Sequence, residues 1–170
     1  MRPQAHEHDP YYSRYIDLVP DGDIVSILET QIGDTVALFD GLDEGRAGSA
    51  YEPGKWTVKE VVGHLSDTER IMAYRALRIA RGDRRPIEGF DQDPYVRNAN
   101  FGRHTLRTLV DELQTVRRAS LALLRGLDAG DWTRRGTANN AEVTPRALAF
   151  IMAGHELHHR RILKDRYLAP

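Results

Sequence analysis

The sequence contains no cysteine, which excludes disulfides, thiolate-held metals and a cysteine nucleophile. Any metal must therefore be held by His, Asp or Glu. Charge of one sign is not in excess either: 24 basic and 25 acidic residues are intermingled and leave a formal net charge of -1. Such a balance does not advertise a polyelectrolyte surface, so no nucleic-acid partner is expected. Nor is there a run of about 18 apolar residues to span a bilayer, and no membrane partner is expected. The N-terminal stretch MRPQAHEHDPYY lacks the apolar centre of a signal peptide, so a cytoplasmic protein is expected. Strand-like alternation, internal repeats and low-complexity tracts are missing as well.

What is there is helical periodicity. A chain of 170 residues supports one hydrophobic core more readily than two. The expected organisation is an extended arm over residues 1–20, with His6 and His8 in solvent, followed by a single domain over 21–170. Ile24, Ile27, Leu28, Ile32, Phe39 and Leu42 recur at three-and-four spacing behind Asp23, a plausible cap, and predict a first helix of about five turns. Thr57 and Glu60 form a capping-box pattern ahead of a second helix, whose inward stripe is Val58, Val61, Leu65, Thr68, Met72, Ala76 and Ile79. Gly82 ends it. A third helix runs from Leu106 to Leu127, and Thr144 followed by Pro145 opens a fourth that reaches about Tyr167.

Two long connections separate these helices, RRPIEGFDQDPYVRNANFG before the third and DAGDWTRRGTANNAEV before the fourth. Connections longer than about 12 residues are uncommon in compact domains and tend to be functional or disordered. Phe90, Tyr95, Phe101 and Trp132 argue that these two are packed, either as anchors of the crossovers or as a substrate wall.

The fourth helix carries the chemistry. At about 100° per residue, Leu148, Ile151, Met152, His155, His159, Ile162 and Leu163 share one stripe, with His158 toward its edge and Glu156 beyond its other side. Two histidines one turn apart in an apolar face each need a polar partner, since an unpaired buried polar group costs roughly 1 to 3 kcal/mol. A shared metal satisfies both; hydrogen-bonded core histidines are the alternative. His155, Glu156 and His159 also spell H-E-x-x-H, the zinc-peptidase signature. That reading needs a third ligand downstream, yet only eleven residues follow His159, Ile162 stands where a glycine turn is required, and Asp165 points off the stripe. The match reads as fortuitous, with Glu156 expected on the helix surface beside Arg160. A third ligand must come from elsewhere. His64 on the second helix can lean into the bundle; His104, at the start of the third, reads rather as a cap or loop residue, and Asp67 lies farther around than His64. Three neutral imidazoles with an open fourth position are what a Lewis-acid site requires.

The pairing of WTVKEVVGHLSDTER, residues 56–70, with HELHH, residues 155–159, resembles the DinB/YfiT-like superfamily. The likeness runs from about Asp23 to Tyr167, and the GFDQDPYV and RRGTANN segments look like a DinB-like branch. The resemblance implies an all-α, up-down-down-up four-helix bundle, which the two long crossovers suit. It implies a divalent metal, zinc or nickel, held by one histidine of the second helix and an i, i+4 pair of the last, which are His64, His155 and His159 here. It also implies a homodimer. The activity expected from it is metal-dependent hydrolysis of a small molecule. One alternative is S-transfer or isomerisation with a low-molecular-weight thiol such as bacillithiol or mycothiol; another is a non-catalytic, metal-binding structural or stress-associated bundle. Arg75, Asp91, Asp93 and Tyr95 are candidates to surround the metal.

Overall fold

The computed structural model describes residues 2–168. The chain begins with single helical turns at Ala5–Glu7 and Pro10–Tyr12, then α1 (Ser13–Ile16), α2 (Ile24–Val36, prolonged by a 3₁₀ turn at Ala37–Phe39), α3 (Glu44–Ala47) and α4 (Val58–Ala80). There follow α5 (Gln92–Ala99), a 3₁₀ turn (Phe101–Arg103), α6 (Leu106–Arg125), α7 (Ala129–Thr133), strands β1 (Gly136–Ala138) and β2 (Ala141–Val143), and α8 (Pro145–Ile162), which widens into a π turn at Leu163–Tyr167.

The helix starts follow from their caps. Asp23 accepts from Ser26 N, Thr57 and Glu60 close a reciprocal capping box, and Thr144 accepts from Ala147 N ahead of Pro145. Gly82, at a φ of 81°, lets the chain turn away just after α4.

Helix directions can be read from side-chain contacts. Glu44 touches the N-termini of α4 and α6 together, pairing with Lys59 at 2.6 Å and accepting from Leu106 N at 2.9 Å. Farther along the same two helices Arg70 meets Glu112 at 2.7 Å, so α4 and α6 are parallel. On α8, His155 meets His64 while the Tyr167 hydroxyl donates to the Trp56 carbonyl, so α8 is antiparallel to α4. Gln31 reaches Ala153 O and Asp34 pairs with Arg160, which makes α2 parallel to α8. The result is an up-down-down-up four-helix bundle in which α2 and α4 each pack on both α6 and α8. Consecutive bundle helices are either diagonal or parallel neighbours, and each such step needs a long connection.

The core is in two parts. Leu28, Ile79, Leu124 and Phe150 belong to one apolar cluster, and Val61, Leu65, Leu109, Leu113 and Leu163 to the other. Between them, on every bundle helix, stand buried polar residues: Gln31 and Thr35, His64 and Glu69, Arg117 and Ser120, His155 and Glu156. A polar layer thus divides the bundle.

Three expectations need correction. Residues 2–20 are not an extended arm. They fold into helical turns that dock on α8, where Glu7 accepts from Arg146 at 2.5 and 3.0 Å and Ile16 and Val19 enter the core. His6 is exposed, as expected, but His8 is buried. The docking depends on Gly154, where a Cβ would collide with the Tyr15 carbonyl, and a reading of the first 20 residues by themselves has no access to it. Second, the connection before α8 contains a β-hairpin turned by Asn139 and Asn140, both at positive φ. Strands of three residues are too short for alternation to register. Third, the connection before α6 holds α5 and is tied to that hairpin, with Ile87 N donating to Thr137 O and Asn139 N to Ile87 O, each at 2.9 Å.

Candidate metal centre

Three imidazoles meet in the polar layer. His64 comes from the second turn of α4, His155 and His159 from successive turns of α8, and their ligand atoms all lie within 4.8 Å of one another. His155 Nε2 is 3.1 Å from His64 Nε2 and 3.2 Å from His159 Nε2. Tetrahedral zinc with Zn–N bonds of 2.0–2.1 Å separates its nitrogens by about 3.3 Å, close to this spacing. Hydrogen bonding alone serves the group poorly. If His155 Nε2 carries a proton it donates to one neighbour and offers the other nothing; if it carries a lone pair, both neighbours compete for it. A cation meets all three lone pairs at once.

The surroundings keep these rings uncharged. Burial pulls His64 down to about 4 and His159 to about 3, with the charges of His64 and His158 adding to the effect on His159. Burial also holds His155 well below its ordinary value. A neutral imidazole is the form that coordinates a metal. The Trp56 ring covers His64 at 4.7 Å between centroids, and Thr68 Oγ1 approaches His64 Nδ1 at 3.4 Å. Tyr15 of the docked N-terminal segment packs edge-on against His155.

Two cavities open on the cluster. One of about 350 Å³ reaches His155 and is walled by Tyr11, Tyr12 and Tyr15, by Thr68 and Met72 of α4, and by Phe90, Asp91 and Gln92. Another of about 250 Å³ reaches His159 between Trp56, Asp93 and Tyr167. The site is therefore open to small molecules.

The sequence matches the DinB superfamily over residues 27–163. The chain belongs to the DinB superfamily. YfiT from Bacillus subtilis, described as a probable metal-dependent hydrolase with an unusual four-helix bundle topology, superposes with a TM-score of 0.76 at 17% identity. The alignment covers 97% of this chain and 90% of YfiT. No curated protein matches the sequence.

In this DinB-superfamily chain the other expected residues fall at different distances from the cluster. His158 stands half-buried at the rim, its ring 5.3 Å from that of His159. His104 ends the Phe101–Arg103 turn, receives a hydrogen bond from Arg103 Nε at 3.1 Å and is outside the cluster. Asp67 pairs with Arg70 at 3.3 Å. Asp91 lines the larger cavity and Asp93 the smaller, whereas Tyr95 is 50% exposed and packs on Phe90. Arg75 is buried behind the wall of the larger cavity, where it donates to Glu88 O at 2.9 Å.

Glu156 corrects the expectation of a surface carboxylate. It is 2% exposed and accepts from Arg117 at 2.7 Å, from Gln31 at 2.5 Å and from the Thr35 hydroxyl. Arg117 also grips Glu69 through two hydrogen bonds of 2.8 and 2.7 Å and donates to Leu28 O. Arg160, the assumed partner, pairs with Asp34 instead. A helical projection treats the side opposite the apolar stripe as solvent, but α8 is enclosed by α1, α2 and α4. Arg117 and Glu69 escaped the sequence reading; the one available signal was their position, each charge falling on or beside its own helix's apolar stripe.

Proposed function

We propose that this protein is a metal-dependent hydrolase in which His64, His155 and His159 hold one divalent cation, zinc or nickel, and leave a position open toward the larger cavity. The observation that carries this reading is the convergence of three uncharged imidazoles beside a cavity of about 350 Å³. A bound cation would supply Lewis acidity and lower the pKa of a coordinated water toward about 7. The chain's own groups provide the rest. Thr68 Oγ1, able to accept from a protonated His64 Nδ1, would then leave Nε2 free for the cation. Tyr15 and Trp56 limit water around the rings. The carboxylates of Asp9 and Asp91 and the hydroxyls of Tyr11, Tyr12 and Tyr15 are the proton-exchanging groups of the cavity wall. Glu156 has no part in this, because its oxygens are engaged by Arg117, Gln31 and Thr35.

A second reading, transfer of a low-molecular-weight thiol, is favoured by the separate cavity at His159, which offers a cosubstrate its own entrance. The metal-loaded protein should be assayed against ester, amide and phosphoester panels, and separately against electrophiles with an added thiol. Hydrolysis lost in a His155→Ala variant supports the first reading. Turnover only with the thiol replaces it with the second, and turnover in neither panel removes both.

A further inference from the structure

Arg75 is the exception in this polar interior. The other deeply buried arginine, Arg117, is met by two carboxylates, whereas no carboxylate among the described residues pairs with Arg75, which is 3% exposed. Its Nη2 donates to Glu88 O, its Nη1 faces Met72 Sδ at 3.8 Å, and its Nε is the one buried side-chain polar atom among the described residues without a hydrogen-bond partner. The Phe90 ring lies 5.9 Å from the guanidinium. Burial lowers the Arg75 pKa, and what offsets it is the Tyr12 phenol rather than an acid. A buried cation without a counter-ion is costly, by several kcal/mol in real proteins. A ligand carboxylate would supply the missing counter-charge.

The location says which ligand. Arg75 lines a void of about 10 Å³ that shares Asp9, Tyr12, Met72 and Ile151 with the wall of the larger cavity. Met72, unbranched and adaptable, lines both spaces, and a ligand spanning them would displace its side chain. Eleven residues of α4 separate Arg75 from His64, and the Arg75 side chain leans back along the helix toward Met72. The rise between the two levels is about 16 Å, and the span from the histidine cluster to the guanidinium is somewhat shorter than that. Between the two ends the wall mixes the aromatic and apolar side chains of Tyr12, Tyr15, Met72, Phe90 and Ile151 with polar groups. The nearby acids are already engaged and more open to water: Asp9 accepts from Tyr11 N at 2.8 Å, Asp91 from Asp93 N at 3.1 Å, and Glu142 pairs with Arg135 at 2.8 Å.

We propose that Arg75 forms an anion subsite at the far end of this cavity, and that the substrate is an elongated carboxylate whose middle lies against Tyr12, Met72 and Phe90, its reacting group at the histidines and its carboxylate on the guanidinium. The assignment of the reacting end rests on the metal reading above; the anion subsite does not. Arginine suits the task because its planar fork matches a carboxylate.

The probes are 4-phenylbutyrate and its neutral amide, 4-phenylbutanamide, titrated calorimetrically into the purified protein and into Arg75→Gln, Arg75→Lys and His155→Ala variants. The expected result is at least tenfold tighter binding of the carboxylate than of the amide. That preference should disappear in Arg75→Gln with amide binding retained, survive in part in Arg75→Lys, and persist in His155→Ala, which lacks metal. In the unmodified protein the Arg75 Nε–H nuclear magnetic resonance should shift on adding the carboxylate and stay put with the amide, a readout independent of any variant's folding. Equal affinities, no binding of the carboxylate, or an unmoved Arg75 resonance overturns the proposal. A preference kept in Arg75→Gln but lost in His155→Ala would place the carboxylate on the metal and also overturn it, leaving the metal reading intact. Failure of the protein to bind zinc alongside a preserved, Arg75-dependent preference would sink the metal reading alone.

Discussion

Arg117, reaching across from α6, donates to Glu156 at 2.7 Å and so takes up the carboxylate that adjoins His155 in the chain. Neighbours in sequence here serve different ends: His155 faces the cation site, and Glu156 faces a buried guanidinium shared with Glu69. Removing one partner of a buried ion pair typically costs about 3–5 kcal/mol, because the other charge is stranded. Arg117→Met is expected to lose that much stability in urea unfolding. Glu156→Gln should keep one equivalent of metal, because the carboxylate it replaces faces Arg117 and lies outside the cation site.

The facing of the three rings predicts a sharp pattern of metal content. His64→Ala, His155→Ala and His159→Ala should each lose stoichiometric metal, measured by elemental analysis of protein purified without a histidine tag. His158→Ala should retain it, since that ring stands at the rim and lies outside the cluster. Equal loss in all four variants would mean the loss follows misfolding rather than ligation.

Acid should destabilise the metal-free protein in a defined window. His64 falls from 6.5 to about 4 on burial and His159 from 6.5 to about 3. Between those values the unfolded chain binds more protons than the folded one, so stability drops as pH falls from about 6.5 toward 4. Thermal melts of chelator-treated protein should show Tm declining through this range, and His64→Leu should flatten the slope. The same burial means that protons do not displace a bound cation near the free imidazole value of 6.5, but only nearer pH 4, as long as the fold holds. Release complete by pH 6 would contradict the depressed values.

Gly154 gates the N-terminal segment. A methyl group there meets the Tyr15 carbonyl, so Gly154→Ala should push residues 13–16 off α8 and cost roughly 1–3 kcal/mol, as overpacking does. Limited proteolysis should then cut within the first 20 residues, while metal content holds because all three histidines lie on α4 and α8. Loss of metal with no change in proteolysis would show that the segment's docking does not depend on this glycine.

Helix starts, stripes and the inward i, i+4 histidines were legible because they are local: a cap acts within three residues, and a face repeats every 3.6. The chain's own order of residues therefore determined four helices, their inner faces, two long connections and the absence of any thiol. Which of His64 and His104 completes the trio was narrowed by projection, yet the meeting of α4 with α8 is a contact across 91 positions. Only the assembled bundle decided that α8 has no solvent face at Glu156, that Arg117 answers it, that Tyr11, Tyr12 and Tyr15 help wall the cavity, and that Arg75 is left without a counter-ion. Burial and charge pairing belong to surfaces brought together from distant segments, and no single segment carries the information about what it will be packed against.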